Sequence, residues 1–155
     1  MSRIDLVLRA ARRRYRRLQA AEVPAALSRG AVLVDIRPQA QRLREGELPG
    51  ALVIERNILE WRCDPTSEAK LPEATGDDVE WVIVCSEGYT SSLAAAALLD
   101  IGLLGATDVI GGYHALAGAG VLHRLGGSGR PRGLAGTAWP DMLPADPAVA
   151  GRRWV

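Results

Sequence analysis

The sequence predicts an α/β domain built on a five-stranded, mainly parallel sheet with helices on both faces, and three observations carry that expectation. Short unbroken apolar runs, residues 31–35 and Trp81–Val84 above all, have the pattern of strands covered on both sides. Segments of helical composition alternate with such runs along the chain, as in βαβ units. Glycine and proline mark the joins, at Gly30, Pro49, Gly50, Gly102, Gly111 and Gly112. At 155 residues and 48% apolar composition, the chain suits one domain with one sizeable core.

Taken in order, residues 1–14 form a basic N-terminal arm, either frayed or coiled into a short helix. Residues 15–18 are the first strand candidate. Residues 20–28 follow as a helix in spite of Pro24, because the first helical turn has no N–H acceptor to lose, and Gly30 stops it. The second strand is 31–35, followed by a short helix at 39–44 and a turn at 46–50. The third strand, 51–54, leads to a short polar helix at 57–62 and a long polar loop ending near Asp78. Trp81–Val84, aromatic and β-branched throughout, is the clearest strand. It ends at Cys85, and a loop then enters a helix, capped by Ser91 or a neighbour, that runs to about Ile101. The fifth strand is 107–110 and the last helix 113–119. The domain thus occupies 15–120. Beyond it, roughly ten of thirty-five residues are glycine or proline, the mark of an irregular tail over 121–155. Trp139 and Trp154 would pin that tail to the domain or across a dimer, a route to an oligomer.

Nineteen basic and eighteen acidic residues give a net charge of +1, so no global field draws the chain to nucleic acid or anionic lipid. The one concentrated run, Arg12, Arg13, Arg14, Arg16 and Arg17, reads as a solvated flank. Two cysteines cannot make a disulfide framework, and no leader opens the sequence, which points to a reducing, cytoplasmic setting. The longest apolar stretch, 91–106, is broken by Asp100, Gly102 and Gly105 and is shorter than the ~18–20 residues a bilayer span requires; no membrane association is expected. Cys63 and Cys85 lack zinc-type spacing, and neither a metal nor another cofactor is expected.

Chemistry concentrates at Cys85. In a parallel sheet, ligands bind beyond the carboxyl ends of the strands, where this residue sits. Ser86, Glu87, Gly88, Tyr89, Thr90 and Ser91 are mostly small and polar around a central glycine, so the backbone can curl and turn successive N–H groups inward. That nest meets a helix N-terminus, whose partial positive charge favours an anion. A buried cysteine is often only a small core residue, but a packed cysteine has no need of an anion nest.

From about Tyr15 to Gly120 the chain resembles the rhodanese-like domains, the single-domain sulfurtransferase family. The residues that carry the resemblance are Asp35-Ile36-Arg37, similar to a strand-ending D-x-R; Glu47-Leu48-Pro49-Gly50-Ala51, similar to H-I-P-G-A; the Cys85 loop; and Gly111-Gly112-Tyr113, similar to a G-G-aromatic turn. The resemblance implies that Cys85 is a nucleophile that takes sulfane sulfur from thiosulfate or a persulfide, carries it as its own persulfide, and passes it to a thiol or cyanide acceptor. The backbone of Ser86 to Ser91 would cradle the outer sulfur. A sulfur-relay protein is a further possible partner, and nucleic acid is not. A non-catalytic module that senses sulfur or docks a partner is the alternative.

Related phosphatase and arsenate-reductase loops carry arginine at the sixth position after the cysteine, to clamp a tetrahedral oxyanion; here that position is Ser91. Departures from the family are equally informative. Thr90 stands where a basic residue is common, and the loop's one charge is Glu87, which opposes a thiolate and repels a dianionic donor. A cation must come from another segment, with Arg42 expected first and Arg56 second. Glu47 replaces a histidine, and Leu116 stands where an aromatic is common. Asp35 and Arg37, with Gly111 and Gly112, are expected to be structural. Cys63 would be a resolving thiol only if the fold brought it to Cys85, and His114 and His123 are too isolated to act as bases.

Overall fold

The computed structural model describes residues 1–127, and strands alternate with helices through them. The four strands β1 (Val32–Asp35), β2 (Leu52–Val53), β3 (Trp81–Val84) and β4 (Thr107–Asp108) form one parallel sheet in the order β2-β1-β3-β4. The chain steps from β1 outward to β2 and then crosses back to β3 on the other side of β1. The gap beyond the carboxyl ends of β1 and β3 is therefore the switch point at which such sheets bind ligands.

Among the described residues there are four strands and not the expected five. Residues 15–18 contribute a single bridge, in which Leu18 N–H donates to the Asp108 carbonyl (3.0 Å) and Ile110 N–H donates to the Leu18 carbonyl (2.9 Å). The ladder stops there because the Thr107 hydroxyl takes the Arg16 carbonyl (2.8 Å), while Tyr15 and Arg17 turn their side chains to the Asp108 carboxylate.

The pleat sorts side chains into two cores, one on each face. Val32, Val34, Trp81, Ile83 and Cys85 point to one face, where they meet α4 (Leu59–Cys63) and α5 (Thr90–Asp100). Leu33, Val82 and Val84 point to the other, against α2 (Val23–Ser28) and α6 (Gly112–Gly118). These are the three expected layers. In α5, Ala94 and Ala95 are fully buried, and their small side chains let the helix lie close to the strands that carry the cysteine loop. Pro24 falls in the first turn of α2, where it displaces no hydrogen bond.

The N-terminal arm is a helix, α1 (Arg3–Arg12). Its start is a capping box: Ser2 Oγ accepts from Asp5 N–H (3.2 Å) and the Asp5 carboxylate accepts from Ser2 N–H (2.8 Å). Leu8 and Ala11 are buried, and the helix packs on α5. At the other end, Val121 and Leu125 are buried in the second core, so packing continues past residue 120, where the domain was expected to end. Trp139, Trp154 and the rest of the expected tail beyond residue 127 lie outside the described residues. Among the described residues, no helix is long and apolar enough to cross a membrane.

Candidate active site

At the switch point lies an open cavity of about 480 Å³. Ile36, Arg37 and Pro38 reach it from the end of β1, Gln41 and Glu45 from α3 (Gln39–Glu45), Arg56 from the turn after β2, and Cys85, Ser86, Glu87, Tyr89 and Thr90 from the loop after β3. Cys85 is only 8% exposed, so its sulfur sits at the floor.

Two backbone donors converge on that sulfur, Gly88 N–H at 3.2 Å and Ser91 N–H at 3.4 Å. They are what a thiolate needs, and they arise because the loop's carbonyls are held the other way. The Cys85 carbonyl accepts from Tyr113 N–H (2.8 Å) and the Ser86 carbonyl from His114 N–H (3.1 Å), both at the start of α6. The N–H groups of Glu87, Tyr89 and Thr90 meet no acceptor among the described residues, and all three residues line the cavity. Two N–H groups of the loop thus reach the sulfur, in keeping with the nest expected from the sequence, and three more at cavity-lining residues have no protein acceptor among the described residues.

Two glycines allow the turns to approach this closely. Gly112 has φ +58°, and a Cβ there would lie 2.4 Å from the Cys85 carbonyl oxygen and 2.8 Å from the Gly88 nitrogen. Gly88 has φ +81°, and a Cβ there would lie 2.8 Å from the Gly111 nitrogen. Gly111 (φ +77°) opens the turn. The expected structural role of Gly111 and Gly112 has this steric content: the cysteine loop and the α6 turn are in backbone contact.

Behind the sulfur, the Cys85 thiol donates to Ser91 Oγ (3.3 Å), and Ser91 Oγ donates to Asp108 Oδ2 (2.8 Å). Asp108 is fully buried and also accepts from Ser92 Oγ (2.9 Å), Tyr15 Oη (3.0 Å), Arg17 Nε (2.7 Å) and Arg17 Nη2 (2.9 Å). Burial, reinforced by the Asp108 charge, pushes the Tyr15 phenol up, so it stays a neutral donor. Burial would lower the Arg17 guanidinium, but its hydrogen bonds to Asp108 outweigh that and hold it above its ordinary value.

Among the described residues, the arginines that bond to the loop backbone come from the N-terminal segment, and the one expected first is not among those that line the cavity. Arg42 does not line the cavity; its Nη1 turns back to the Arg37 carbonyl (2.9 Å). Arg56 does line it, with Nη1 held by Glu60 at 2.6 Å. Arg12 and Arg17, taken from the sequence as part of a solvated flank, instead reach the back of the cysteine loop and donate to the Gly88 carbonyl at 2.8 and 2.9 Å. One signal pointed to them. Asp108 lies in an apolar strand and needs a partner, and Tyr15 and Arg17 share one face of an extended segment beside it.

On the opposite wall, Asp35 and Arg37 are buried together, joined through Arg37 Nη2 to Asp35 Oδ2 (2.8 Å) and Arg37 N–H to Asp35 Oδ1 (3.0 Å). Arg37 also donates to Glu45 (3.0 Å) and the Gly46 carbonyl (2.9 Å), and it stacks 4.0 Å from the centre of the Tyr113 ring. Four of its five side-chain N–H groups are taken by these bonds, which fits the structural role expected for it. Burial would raise the Glu45 carboxyl, but Arg37 and Ser86 hold it below the ordinary range, so it stays charged beside the cavity. Ser86 Oγ lies 2.9 Å from Gln41 Oε1 and 3.0 Å from Glu45 Oε1, which ties the loop to α3. Cys63 is fully buried, and desolvation pushes its thiol up, so it stays a protonated core residue. Among the described residues, no three His, Cys, Asp or Glu side chains gather as metal ligands would.

Known proteins are similar to this chain. The profile of the rhodanese-like domain matches residues 19–119. A curated relative, the adenylyltransferase and sulfurtransferase UBA4 of Lodderomyces elongisporus, is 33% identical over 88 residues; the match covers 56% of this chain but only 19% of that protein. A solved structure of a Rhodopseudomonas palustris protein of unknown function, described as a possible tyrosine phosphatase, is 32% identical with a TM-score of 0.68, over 77% of this chain and 92% of that one. The human single-domain sulfurtransferase TSTD1 is 25% identical with a TM-score of 0.55, over 67% of this chain and 96% of that one. With the profile spanning the sheet, the cysteine loop and the Gly111–Gly112 turn, the chain belongs to the rhodanese-like domain family.

Proposed function

We propose that the protein is a sulfurtransferase in which Cys85 carries the transferred sulfur as a persulfide. The observation that carries this is the pair of N–H groups, from Gly88 and Ser91, aimed at a cysteine sulfur on the floor of an open cavity. The Cys85 thiolate attacks the sulfane sulfur of a donor; the new S–S bond forms as the donor's own bond to that sulfur breaks, releasing a thiolate or sulfite with the electron pair. An acceptor nucleophile, a thiolate or cyanide, then attacks the outer sulfur, and Cys85 leaves as thiolate. Neither half-reaction needs an external oxidant. The free N–H groups of Glu87, Tyr89 and Thr90 hold the outer, negatively charged sulfur. Incubation with a sulfane donor should add the mass of one sulfur atom to the intact protein and to no Cys85→Ser sample. An absence of adduct with every donor would reject the assignment.

The donor is a small thiol persulfide in preference to thiosulfate. Glu45 and Glu87 both line the cavity, and the one arginine there with its head group partly exposed, Arg56, is tied to Glu60. A dianion meets carboxylates at the mouth, whereas a monoanionic persulfide is repelled less. Glu87→Gln is expected to raise kcat/KM for thiosulfate by about threefold while persulfide turnover changes far less. Equal gains for both donors would remove the electrostatic explanation.

Phosphatase chemistry, named for the Rhodopseudomonas protein, is not favoured. Ser91 stands at the sixth position after Cys85 and bonds to Asp108, and Arg12 and Arg17 contact the outer side of the loop. Among the described residues, no guanidinium stands at the loop position that would clamp a phosphoryl group.

A further inference from the structure

The family match begins at residue 19, which leaves α1 and the segment to Leu18 outside it. Arg12 and Arg17 nevertheless meet at one atom of the active-site loop, the Gly88 carbonyl oxygen, which also lies 3.2 Å from Ser92 Oγ. We infer that Arg12 and Arg17 are positioning residues of this active site: they hold the Gly88 peptide with its carbonyl away from the cavity and bring positive charge to a cysteine loop that has no cation of its own. The inference deepens the sulfurtransferase proposal, since it assigns how that site holds an anionic sulfur.

Three features support it. First, the Gly88 peptide lies between two functional donors. Gly88 N–H points at the sulfur, and the Gly88 carbonyl belongs to the same peptide unit as the Tyr89 N–H, at a cavity-lining residue with no protein acceptor among the described residues. A guanidinium drawing on the carbonyl polarises that unit and strengthens its N–H as a donor. Second, both guanidinia are held in place. Arg17 is forked onto Asp108, while Arg12 donates through Nε to Ser92 Oγ (3.0 Å) and lies 5.5 Å from the centre of the Tyr89 ring. Third, a buried ion pair adds little stability over apolar packing of the same volume. An Arg17–Asp108 pair with 14% and 0% side-chain exposure is better explained by where it places charge.

Charge reaches Cys85 from every element around it. Asp108 stands on β4, Tyr15 and Arg17 on the bridging segment, Arg12 on α1, Glu87 in the loop itself, and Arg37, Glu45 and Arg56 across the cavity. Asp35 and Glu60 engage two of these arginines, and His114 lies 3.6 Å from Glu45. Of the cations, Arg12 and Arg17 alone contact the loop backbone among the described residues.

The test is the pH profile of Cys85 alkylation by iodoacetamide in the full chain, read by peptide mass. It needs no sulfur donor, so it can succeed or fail independently of the sulfurtransferase proposal. Buried Cys63 serves as an internal gauge of folding, unmodified while the core is intact. In Arg17→Gln the midpoint should rise by about one unit, with alkylation near neutrality roughly tenfold slower. Arg12→Gln, which strands no buried carboxylate, should raise it by about half as much. Arg17→Lys keeps a cation for Asp108 but cannot fork to Asp108 and Gly88 together, and should fall between the Arg17→Gln profile and that of the unaltered protein. If Arg17→Gln fails to fold, the other two variants decide the matter. Variants with Cys63 protected and midpoints within about 0.2 unit of the unaltered protein would overturn the inference.

Discussion

Gly112→Ala should all but silence the cysteine loop. A methyl group at this position meets three backbone atoms at once, the Cys85 carbonyl oxygen at 2.4 Å and the Gly88 nitrogen and Ser86 carbonyl oxygen at 2.8 Å. None is the tip of a side chain that could swing aside, so the loop itself must move. The left-handed φ of +58° adds strain of its own. A displacement near 1 Å would pull Gly88 N–H off the sulfur and break the bond from Tyr113 N–H to the Cys85 carbonyl. Misplacement of that size costs on the order of 100-fold in rate, and stability should fall by about 2–3 kcal/mol. Sulfur loading followed by intact mass, alongside urea denaturation, checks both. The control is Gly118→Ala in the same helix, where a Cβ meets nothing within 4 Å. It should leave loading intact and stabilise slightly. A Gly112→Ala protein that loads sulfur at the unaltered rate would mean that the contact between the two turns does not set the loop.

The second large effect is expected at Asp108. Asp108→Ala leaves the Arg17 guanidinium without its counter-charge and takes the acceptor from Tyr15, Ser91 and Ser92 together. Removing one partner of a buried pair typically costs about 3–5 kcal/mol, because the stranded charge cannot regain water. Breaking Arg29–Glu80, whose side chains are 52% and 27% exposed, should cost under about 1 kcal/mol by comparison. Chemical denaturation of Asp108→Ala and Glu80→Ala gives the ratio directly. Losses of equal size would show that Asp108 is no more than an ordinary surface partner.

What could be read from the sequence, and what could not, divides by separation along the chain. β3 and Cys85 were legible because an apolar strand, its terminal cysteine and the polar loop are contiguous. The Asp35–Arg37 pair was legible for the same reason: two residues apart at a strand end, they can meet without help from the rest of the fold. Arg42 was misplaced because α3 is only seven residues long, and its phase depends on how Gln41, Glu45 and Ser86 pack across the cavity. The expected first strand shrank to one bridge because a side chain, Thr107, took the carbonyl that the ladder would have used. The arginine partners of the Gly88 carbonyl are 71 and 76 residues away. Nothing in the run from Arg12 to Arg17 marks which arginines turn inward; only the unpaired Asp108 in an apolar stretch hinted at a need for one.

That distant pairing bears on what counts as a portable piece of this chain. A fragment cut at the start of the family match would keep the four described strands, the cysteine and both glycine turns, yet strip Asp108 of its counter-ion and leave the Gly88 carbonyl with Ser92 as its one side-chain partner among the described residues. Fusion or shuffling that respected only the shared block would transmit the fold and lose the electrostatics. For this chain, the unit that keeps Arg12 and Arg17 with the cysteine loop begins in α1, ahead of the residues matched to the family.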